Sequence, residues 1–306
     1  MGSSPYIIRN YHPSDFEDYV KFITEVEKLE PTGRCCSPQV ISESLQRPNY
    51  SPEQNLFIVE IAGKTVSFMN VIPEMNIRRV ILDCLVHPEH RRKGLAKRLL
   101  GHAIHRAKKL KAKVIQVNIR QDNVVAKRVL PKLGFTVCRR FLEIRRSLSD
   151  LPDTAHNIYS CRHLQPGEED KLTQIQNRCF AGTWGYNPNT TEEIAYYANL
   201  SHRSPQDIVL ICEGDKPVGY CWTEINREAV KGERKGRIFM LGVDPDYRGK
   251  GIGKIALLAG LSRLKSKGIR VVEVTVDSEN EVARALYRSV GFKPWTSSLW
   301  YEKTID

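Results

Sequence analysis

The sequence predicts an α/β fold arranged as two tandem domains, and two observations support this. First, residues 238–292 follow the order strand, glycine-rich loop, helix, strand and helix. Second, residues 86–97 match residues 243–254 without a gap, at an offset of 157 residues (243 − 86). A repeat with that period is a whole domain and not a solenoid unit. The 306 residues are enough for two domains, which we predict at residues 1–150 and 155–306.

The first half contains alternating strand and helix patterns. Apolar residues at helical spacing follow Ser14 and Asp15, and Gly63 marks the turn of a hairpin. The predicted elements are a strand (5–10), helices (16–26 and 40–45), the hairpin (55–61 and 66–71), a strand (80–86), a helix (95–110), a strand (114–119), a helix (124–133) and a strand from 141.

The second half repeats this order after a predicted linker at residues 149–154. Acidic residues open its first helix, and Thr190 or Thr191 caps the next one, as helix dipoles and free N–H groups favour. The predicted elements are a strand (158–162), a helix (167–180), a capped helix after 191, a hairpin (208–213 and 218–225), a strand (238–243), a helix, a strand (271–276), a helix containing Tyr287 and a strand (299–303). A polar excursion at residues 226–236 has no counterpart of that length in the first half.

Composition places the chain among soluble proteins. Hydrophobic residues make up 41% and charged residues 27% of the sequence. We find no apolar run of about 18 residues and no signal-peptide pattern, so we expect a cytoplasmic protein without a membrane span. The eight cysteines contain no CxxC pair, which predicts buried reduced thiols and no zinc site.

Charge is distributed unequally between the halves. Residues 1–150 contain 26 Lys and Arg against 15 Asp and Glu, whereas the remainder contains 21 (47 − 26) against 20 (35 − 15). A basic field of this kind favours an anionic partner such as nucleic acid. The alternative is a solvated basic surface without a dedicated partner, because no RNP, KH or zinc-knuckle pattern indicates base reading.

The glycine-rich loop of the second half has the chemistry of an anion site. A loop that runs into a helix N-terminus presents free backbone N–H groups and the positive end of the helix dipole. Its spacing is neither GxGxxG nor GxxxxGK[ST], which argues against dehydrogenases and P-loop NTPases. Gly242, within the preceding strand, predicts a bulge or close approach of a ligand to the backbone.

Both halves share the motif V-x-P-x-x-R-x-K-G-[LI]-[AG], followed by N-x-V-A and G-F. This combination resembles the GCN5-related N-acetyltransferases (GNAT), and the layout is similar to that of a tandem member, mycothiol synthase. The resemblance covers nearly all of both halves. It implies two GNAT-type domains, each a mixed, splayed β-sheet flanked by helices, with acetyl-CoA as co-substrate between two central strands.

The resemblance also implies site residues in the second half. The pyrophosphate of CoA is expected on the backbone of Arg248, Gly249, Lys250, Gly251, Ile252 and Gly253. Leu241 and Val243 are expected to pair with the pantetheine arm, and Asn280 to contact it. Tyr287 lies where the family commonly has a tyrosine that protonates the departing thiolate.

The first half retains part of this set. Its cofactor-binding candidates are Val86, Arg91, Arg92, Lys93, Gly94, Leu95, Ala96 and Asn123. Leu130 replaces the tyrosine, however, so we predict a degenerate N-terminal domain and a catalytic C-terminal one. The HxxH spacings of His87 with His90 and of His102 with His105 suggest metal binding only weakly, and we predict no metal.

The predicted function is acetyl transfer from acetyl-CoA to a primary amine of a small molecule or peptide. The general base is the open point, because Arg237 stands near the position where the family often has an acid. Glu224 and Glu233 are the candidates in the second half, whereas Asp83 occupies the corresponding strand of the first. Two alternatives are a non-catalytic acyl-CoA-binding module and an acetyltransferase associated with ribosomes or tRNA. The sequence leaves monomer and homodimer open.

Overall fold

The computed structural model of the chain describes residues 5–151, 159–226 and 234–305. The chain forms two compact units, of which unit 1 comprises Met1–Arg139 with Leu299–Asp306 and unit 2 comprises Arg140–Ser298. Each unit therefore contains a segment from the other half of the sequence. The predicted domains 1–150 and 155–306 remain a prediction. The candidate base Glu233 and residues 152–154 of the predicted linker lie outside the described residues.

Strands and helices alternate along the chain in the predicted order. The first half contains β1 (Ile7–Asn10), α1 (Phe16–Leu29), α2 (Pro38–Leu45), α3 (Pro52–Asn55), β2 (Leu56–Ile61), β3 (Lys64–Glu74), β4 (Arg79–Val86), α4 (Leu95–Lys109), β5 (Val114–Arg120), α5 (Val124–Lys132) and β6 (Thr136–Ser147). The second half contains β7 (Ser160–His163), α6 (Glu169–Phe180), α7 (Thr191–Ala198), β8 (Ile208–Glu213), β9 (Lys216–Asn226), β10 (Lys235–Val243), α8 (Ile252–Ser266), β11 (Val271–Asp277), α9 (Glu281–Ser289) and β12 (Lys293–Thr304).

The predicted α/β class is confirmed, and the largest differences concern strand starts. Strand β6 begins at Thr136 and β12 at Lys293, both earlier than predicted. The early residues of both strands are largely exposed and lack alternation, and Pro294 is unfavourable within a strand. Thr190, in contrast, caps α7 as expected, with Glu193 completing a capping box.

Unit 1 is a mixed sheet between two helical layers. Its strand order is β1-β2-β3-β4-β5-β12, and β4 pairs with β5 in parallel while the pairs from β1 to β4 are antiparallel. Helices α1 and α2 close one apolar cluster, which includes Phe22 and Phe68. Helix α4 closes the other, to which Leu299 and Tyr301 of the C-terminal segment contribute.

Unit 2 has the same layered arrangement. Its strand order is β6-β11-β10-β9-β8-β7, with β10 and β11 parallel and β10 antiparallel to β9. Helices α6 and α7 cover one face, over Tyr220 and Trp222. Helix α8 covers the other face, where Leu257 and Leu261 are fully buried. No helix among the described residues is long and apolar enough to cross a membrane.

Helix α8 lies close to β9 because residue 260 is glycine. A Cβ built on Gly260 meets the Cys221 Sγ atom and lies 3.2 Å from Thr223 Cγ2. Gly101, also within a helix, has no heavy atom within 4 Å of such a Cβ. Only the first glycine is therefore required by packing.

We predict opposite effects of alanine at these two positions. Gly101→Ala should stabilise the protein by about 0.5–1 kcal/mol, because glycine loses more chain entropy in a helix. Gly260→Ala should destabilise it by about 1–3 kcal/mol through overpacking. Denaturant unfolding of both variants measures the difference, and a Gly260→Ala protein as stable as the parent would contradict this account of the helix–strand contact.

Candidate functional site

The central feature of unit 2 is a cleft between two parallel strands that pair only briefly. Strands β10 and β11 pair at Gly236–Ile238 with Val272–Val274, and β10 continues to Val243 beyond the last paired residue. A bulge between Ile238 and Met240 bends β10 where the strands diverge. The edge of β10 that faces β11 therefore offers backbone N–H and C=O groups from Phe239 to Val243.

The glycine-rich loop follows β10 directly and leads into α8. Gly249 and Gly251 have φ of 77° and 79°, a conformation that favours glycine. Gly251 is the N-cap of α8, so the first N–H groups of the helix, from Ile252 onward, have no intrahelical acceptor. The loop thus provides the free N–H groups and helix dipole that the sequence predicts for a phosphate site.

Two arginines, Arg248 and Arg178, stabilise this loop through hydrogen bonds to neighbouring residues. Arg248 donates through Nη2 to the carbonyl of Cys179 at 2.8 Å. Arg178 of α6 donates to both carboxylate oxygens of Asp244, at 2.9 and 3.0 Å, and to Asp246 at 2.9 Å. Asp244 is almost fully buried, and these hydrogen bonds from Arg178 lower the pKa of its carboxyl. The Arg248 side chain therefore has a structural role, and its backbone is the part of the residue that can serve the predicted phosphate site.

Asn280 and Tyr287 lie at the start and near the end of α9. The Asn280 side-chain oxygen accepts the N–H of Ala283 at 3.0 Å and so caps the helix. Asn280 is an exposed residue, and its side-chain NH2 takes no part in that bond. Tyr287 is buried against Phe292, with ring centroids 5.5 Å apart. Burial, followed by the field of Cys221, raises the pKa of the Tyr287 hydroxyl, so it keeps its proton at neutral pH.

Glu224, the candidate base, lies on β9 beside two guanidinium groups. Its carboxylate forms an ion pair with Arg203, and both side chains are largely buried. Arg237 is its direct neighbour on β10. Arg203 also lies over the ring of Phe239, 4.4 Å from the centroid. Glu224 is therefore surrounded by cationic side chains on its own face of the sheet.

Gly242 is explained by packing inside the unit. A Cβ at this position would lie 2.7 Å from Tyr220 Cε1 and 2.9 Å from Cys179 Cβ. The side-chain space of Gly242 is thus filled by residues of β9 and α6. The free strand edge that a ligand can approach results from the divergence of β10 and β11.

Unit 1 reproduces the loop backbone closely. Gly94 has φ 75° and ψ 5° against 79° and −3° at Gly251. Arg92 adopts φ 63° where Gly249 has 77°, at a steric cost of about 1–2 kcal/mol for a residue with a Cβ. Asn123 caps α5 by accepting the Ala126 N–H at 2.9 Å. The remaining predicted binding residues, Val86, Arg91, Lys93, Leu95 and Ala96, lie along the same strand end and loop.

Unit 1 differs from unit 2 at the positions of the predicted catalytic side chains. Leu130, in place of the tyrosine, is buried in the core under α4. Asp83 forms a two-pronged ion pair with Arg34, both distances being 2.7 Å. Arg91 pairs in the same way with Glu30. Asp83 and Arg91 are therefore each ion-paired with another side chain of unit 1.

One group of side chains among the described residues has the spacing of a metal site. Ligand atoms of His87, Glu89 and His90 lie within 4.8 Å of one another. His87 already accepts the N–H of Glu89, and His90 Nδ1 is 3.0 Å from the Tyr6 hydroxyl. These bonds give the histidines a structural role. The expectation that no metal is needed stays a prediction.

Some contacts of the site were absent from the sequence-based predictions. Arg203 lies in the loop between α7 and β8, and Arg178 lies near the end of α6, both without a motif. Glu273 and Arg145 face each other on β11 and β6. Strand register decides these contacts, and no local pattern in the sequence signals them.

Comparisons with known proteins agree with this geometry. The model of the acetyltransferase (GNAT) family matches residues 22–135 and 170–292. A mycothiol acetyltransferase of Stackebrandtia nassauensis is 29% identical over 261 residues, covering 83% of this chain and 84% of the relative. One from Thermobispora bispora is 29% identical over 231 residues, covering 72% and 75%. The predicted similarity to mycothiol synthase is confirmed.

Solved structures are similar over nearly the whole chain. A GCN5-related N-acetyltransferase from Sphaerobacter thermophilus superimposes with a TM-score of 0.73 at 20% identity, covering 99% of this chain and 97% of that one. A tandem GNAT protein from the clavulanic acid biosynthesis pathway gives 0.69 at 15% identity, with 98% of each chain covered. At these identities the likeness concerns the fold, and it confirms the predicted tandem arrangement.

The Arg178–Asp244 pair yields a pH-dependent prediction. Because the pKa of Asp244 is lowered below 3.8 in the folded protein, its contribution to stability is present above that pH and lost as pH falls through the folded pKa. Asp244→Asn should lower Tm by a few degrees at pH 7. The difference between the variant and the parent should persist at pH 5 and shrink below pH ~4, as scanning calorimetry at each pH will measure. A difference that is the same at all pH values would exclude this ionic role.

Proposed function

The chain belongs to the GNAT family of acetyltransferases, and from this premise we propose that unit 2 transfers an acetyl group from acetyl-CoA to a primary amine. That the chain is an N-acetyltransferase follows from its family. The proposal concerns where the chemistry occurs and which residues perform it. The observation that carries it is the cleft of unit 2, which combines an anion-binding loop, a free strand edge and a buried tyrosine.

The residues of this cleft fit CoA. The backbone N–H groups of residues 248–253 would hold the pyrophosphate, because they lie at a loop and helix N-terminus with two left-handed glycines. Exposed Lys250 and Lys254 add positive charge around them. Leu241 and Val243 lie on the unpaired part of β10, where amides of an extended arm would replace the missing strand. The exposed Asn280 amide would donate to that arm.

Bound acetyl-CoA supplies an activated acetyl thioester. A backbone N–H of β10 near the bulge would donate to the thioester carbonyl, as donors in oxyanion holes do. Such a donor acts without reorganisation, since the strand is held by β9 on its other edge. We therefore assign carbonyl polarisation to the backbone of β10 and to no particular side chain.

Glu224 is the proposed proton acceptor for the amine. It lies on the face of β9 that α6 and α7 cover, next to Arg237 on β10. Its carboxylate forms an ion pair with Arg203. A carboxylate acts best as a base on amines of low pKa or through an intervening water.

Tyr287 is the proposed proton donor to the departing thiolate. Its raised pKa keeps the hydroxyl protonated, as a general acid requires. Transfer from a phenol (pKa about 10) to a thiolate (about 8.5) is uphill by about 2 kcal/mol, and burial increases this cost. Since a thiolate is also a tolerable leaving group, the expected contribution is modest.

The side chains of unit 1 support its assignment as the degenerate half. Leu130 carries no proton to donate, and Asp83 is paired at both oxygens with Arg34. The loop backbone and Asn123 are retained, so binding of CoA without transfer is compatible with this unit.

The proposal is tested by CoA release from acetyl-CoA with a panel of amines. Turnover that requires an amine, with stoichiometric acetylated product, supports the enzyme. Binding of acetyl-CoA without release for any amine would favour the non-catalytic alternative. Release that is lost in Gly251→Ala but retained in Gly94→Ala would assign the activity to unit 2, and the reverse pattern would overturn that assignment.

Tyr287→Phe should lower kcat by about 10- to 100-fold, because it removes a general acid whose thermodynamic contribution is small. Affinity for CoA, measured by calorimetry, should be unchanged. Tyr220→Phe is the matched control, since Tyr220 is also buried on the same unit and its hydroxyl has no hydrogen-bond partner. Unchanged kcat in Tyr287→Phe with CoA still bound would remove the acid role.

A further inference from the structure

A row of alternating charges crosses unit 2 at the closed end of the cleft. Strand register places Arg237 of β10 between Glu224 of β9 and Glu273 of β11, and places Glu273 beside Arg145 of β6. These pairs lie at or beside the last paired residues, Ile238 and Val274, before β10 and β11 diverge. The row therefore forms the inner end of the cleft that begins at the glycine-rich loop.

Both carboxylates of this row are engaged by cations other than Arg237. Glu224 pairs with Arg203. Glu273 pairs with Arg145 at 2.6 Å and with Lys235 at 3.5 Å. Four cationic side chains thus surround two carboxylates, and the local charge within the described residues is positive.

Arg237 retains most of its hydrogen-bonding capacity. Within residues 5–151, 159–226 and 234–305, its hydrogen bond is a long one, from Nη2 to Thr275 Oγ1 at 3.5 Å. A guanidinium has five N–H donors in a planar fork, and the Arg237 side chain is exposed. An exposed arginine fork with no carboxylate partner in the described chain is well suited to an incoming anion.

The position of Arg237 indicates which of the two reactants carries this anion. The free edge of β10 from Phe239 to Val243 spans five residues, or about 17 Å. An arm that enters at the glycine-rich loop and follows this edge brings its reactive end toward the bulge, adjacent to Arg237. A group bound by Arg237 then belongs to the acceptor and not to the nucleotide part of CoA.

We propose that Arg237 is a specificity-determining residue that binds a carboxylate or phosphate on the amine acceptor. The inference rests on the proposed function and deepens it, because it defines the acceptor class as amines that carry an anion. A simple monocationic amine would meet the positive charge of the row without compensation. An acceptor with its own anion is neutral overall and gains charge-assisted hydrogen bonds from the Arg237 fork.

The test compares amines that differ in the anion and not in the amino group. Ala-Ala against its C-terminal amide probes a carboxylate, and glucosamine 6-phosphate against glucosamine probes a phosphate. For one of these pairs, kcat/KM of the parent protein should be higher for the anionic member by about 10-fold or more. The pair that shows the preference identifies which anion is bound.

Variants assign the preference to Arg237. Arg237→Gln should reduce the preference by about 10- to 100-fold, mainly through KM of the anionic member, and should not lower kcat/KM for the member without the anion. Arg237→Lys should retain part of it, because lysine supplies charge without the fork. Lys235→Gln is the matched control. It removes a positive charge from the same strand, but Lys235 already has a carboxylate partner, Glu273.

Two results would overturn the proposal. If Arg237→Gln and Lys235→Gln reduce the preference for the anionic amine equally, the preference comes from the general positive field. If Arg237→Gln lowers kcat/KM equally for the amines with and without the anion, the role of Arg237 is structural. If no amine supports CoA release, the proposed function fails by itself. Calorimetric titration into the CoA-loaded protein then tests the anion site independently, with N-acetyl-Ala-Ala against its amide and N-acetylglucosamine 6-phosphate against N-acetylglucosamine. Equal affinities within both pairs would exclude the site.

Discussion

The short parallel pairing between β10 and β11 is the constraint on which the rest of unit 2 depends. Three residues of each strand pair, after which the strands diverge. A parallel pair requires a crossover connection, and α8 supplies it, so the helix begins at the end where the strands separate. The free strand edge and the N-terminus of α8, with its free N–H groups, thus lie at one end of the sheet because of topology, as in other open α/β sheets.

Comparison with unit 1 shows which features of the strands and the loop depend on the backbone and which depend on side chains. Its strands β4 and β5 also pair over three residues, and its loop keeps the same dihedral angles even though Arg92 occupies a left-handed position. Retention of that conformation at a steric cost indicates that the loop shape follows from the strand–loop–helix connection. The two units differ in side chains, since Leu130 occupies the position that corresponds to Tyr287.

Contiguous patterns in the sequence were sufficient to predict the element order, the glycine-rich loop and the Thr190 cap, because each is encoded within a few residues. Gly242 was harder to interpret. The sequence predicts a bulge or a close approach of a ligand there, whereas in the structure Tyr220 and Cys179 fill the space of its side chain. Arg203 and the row through Arg237 depend on register between strands that are distant in sequence, so periodicity does not reveal them.

The proposed proton acceptor of this site, Glu224, is a carboxylate, and carboxylates act best as bases on amines of low pKa. An alkyl ammonium with pKa about 10.4 costs about 4.6 kcal/mol to deprotonate at pH 7, whereas a peptide α-amino group near 7.7–8.0 costs about 1 kcal/mol. The positive row lowers this cost, because it repels the ammonium and leaves the neutral amine unaffected. This reduction applies to both classes, so a carboxylate such as the proposed acceptor Glu224 is adequate for the second class and poor for the first. Since an anion held at Arg237 compensates the ammonium during approach, the same two residues favour an acceptor that combines an α-type amine with an acidic group.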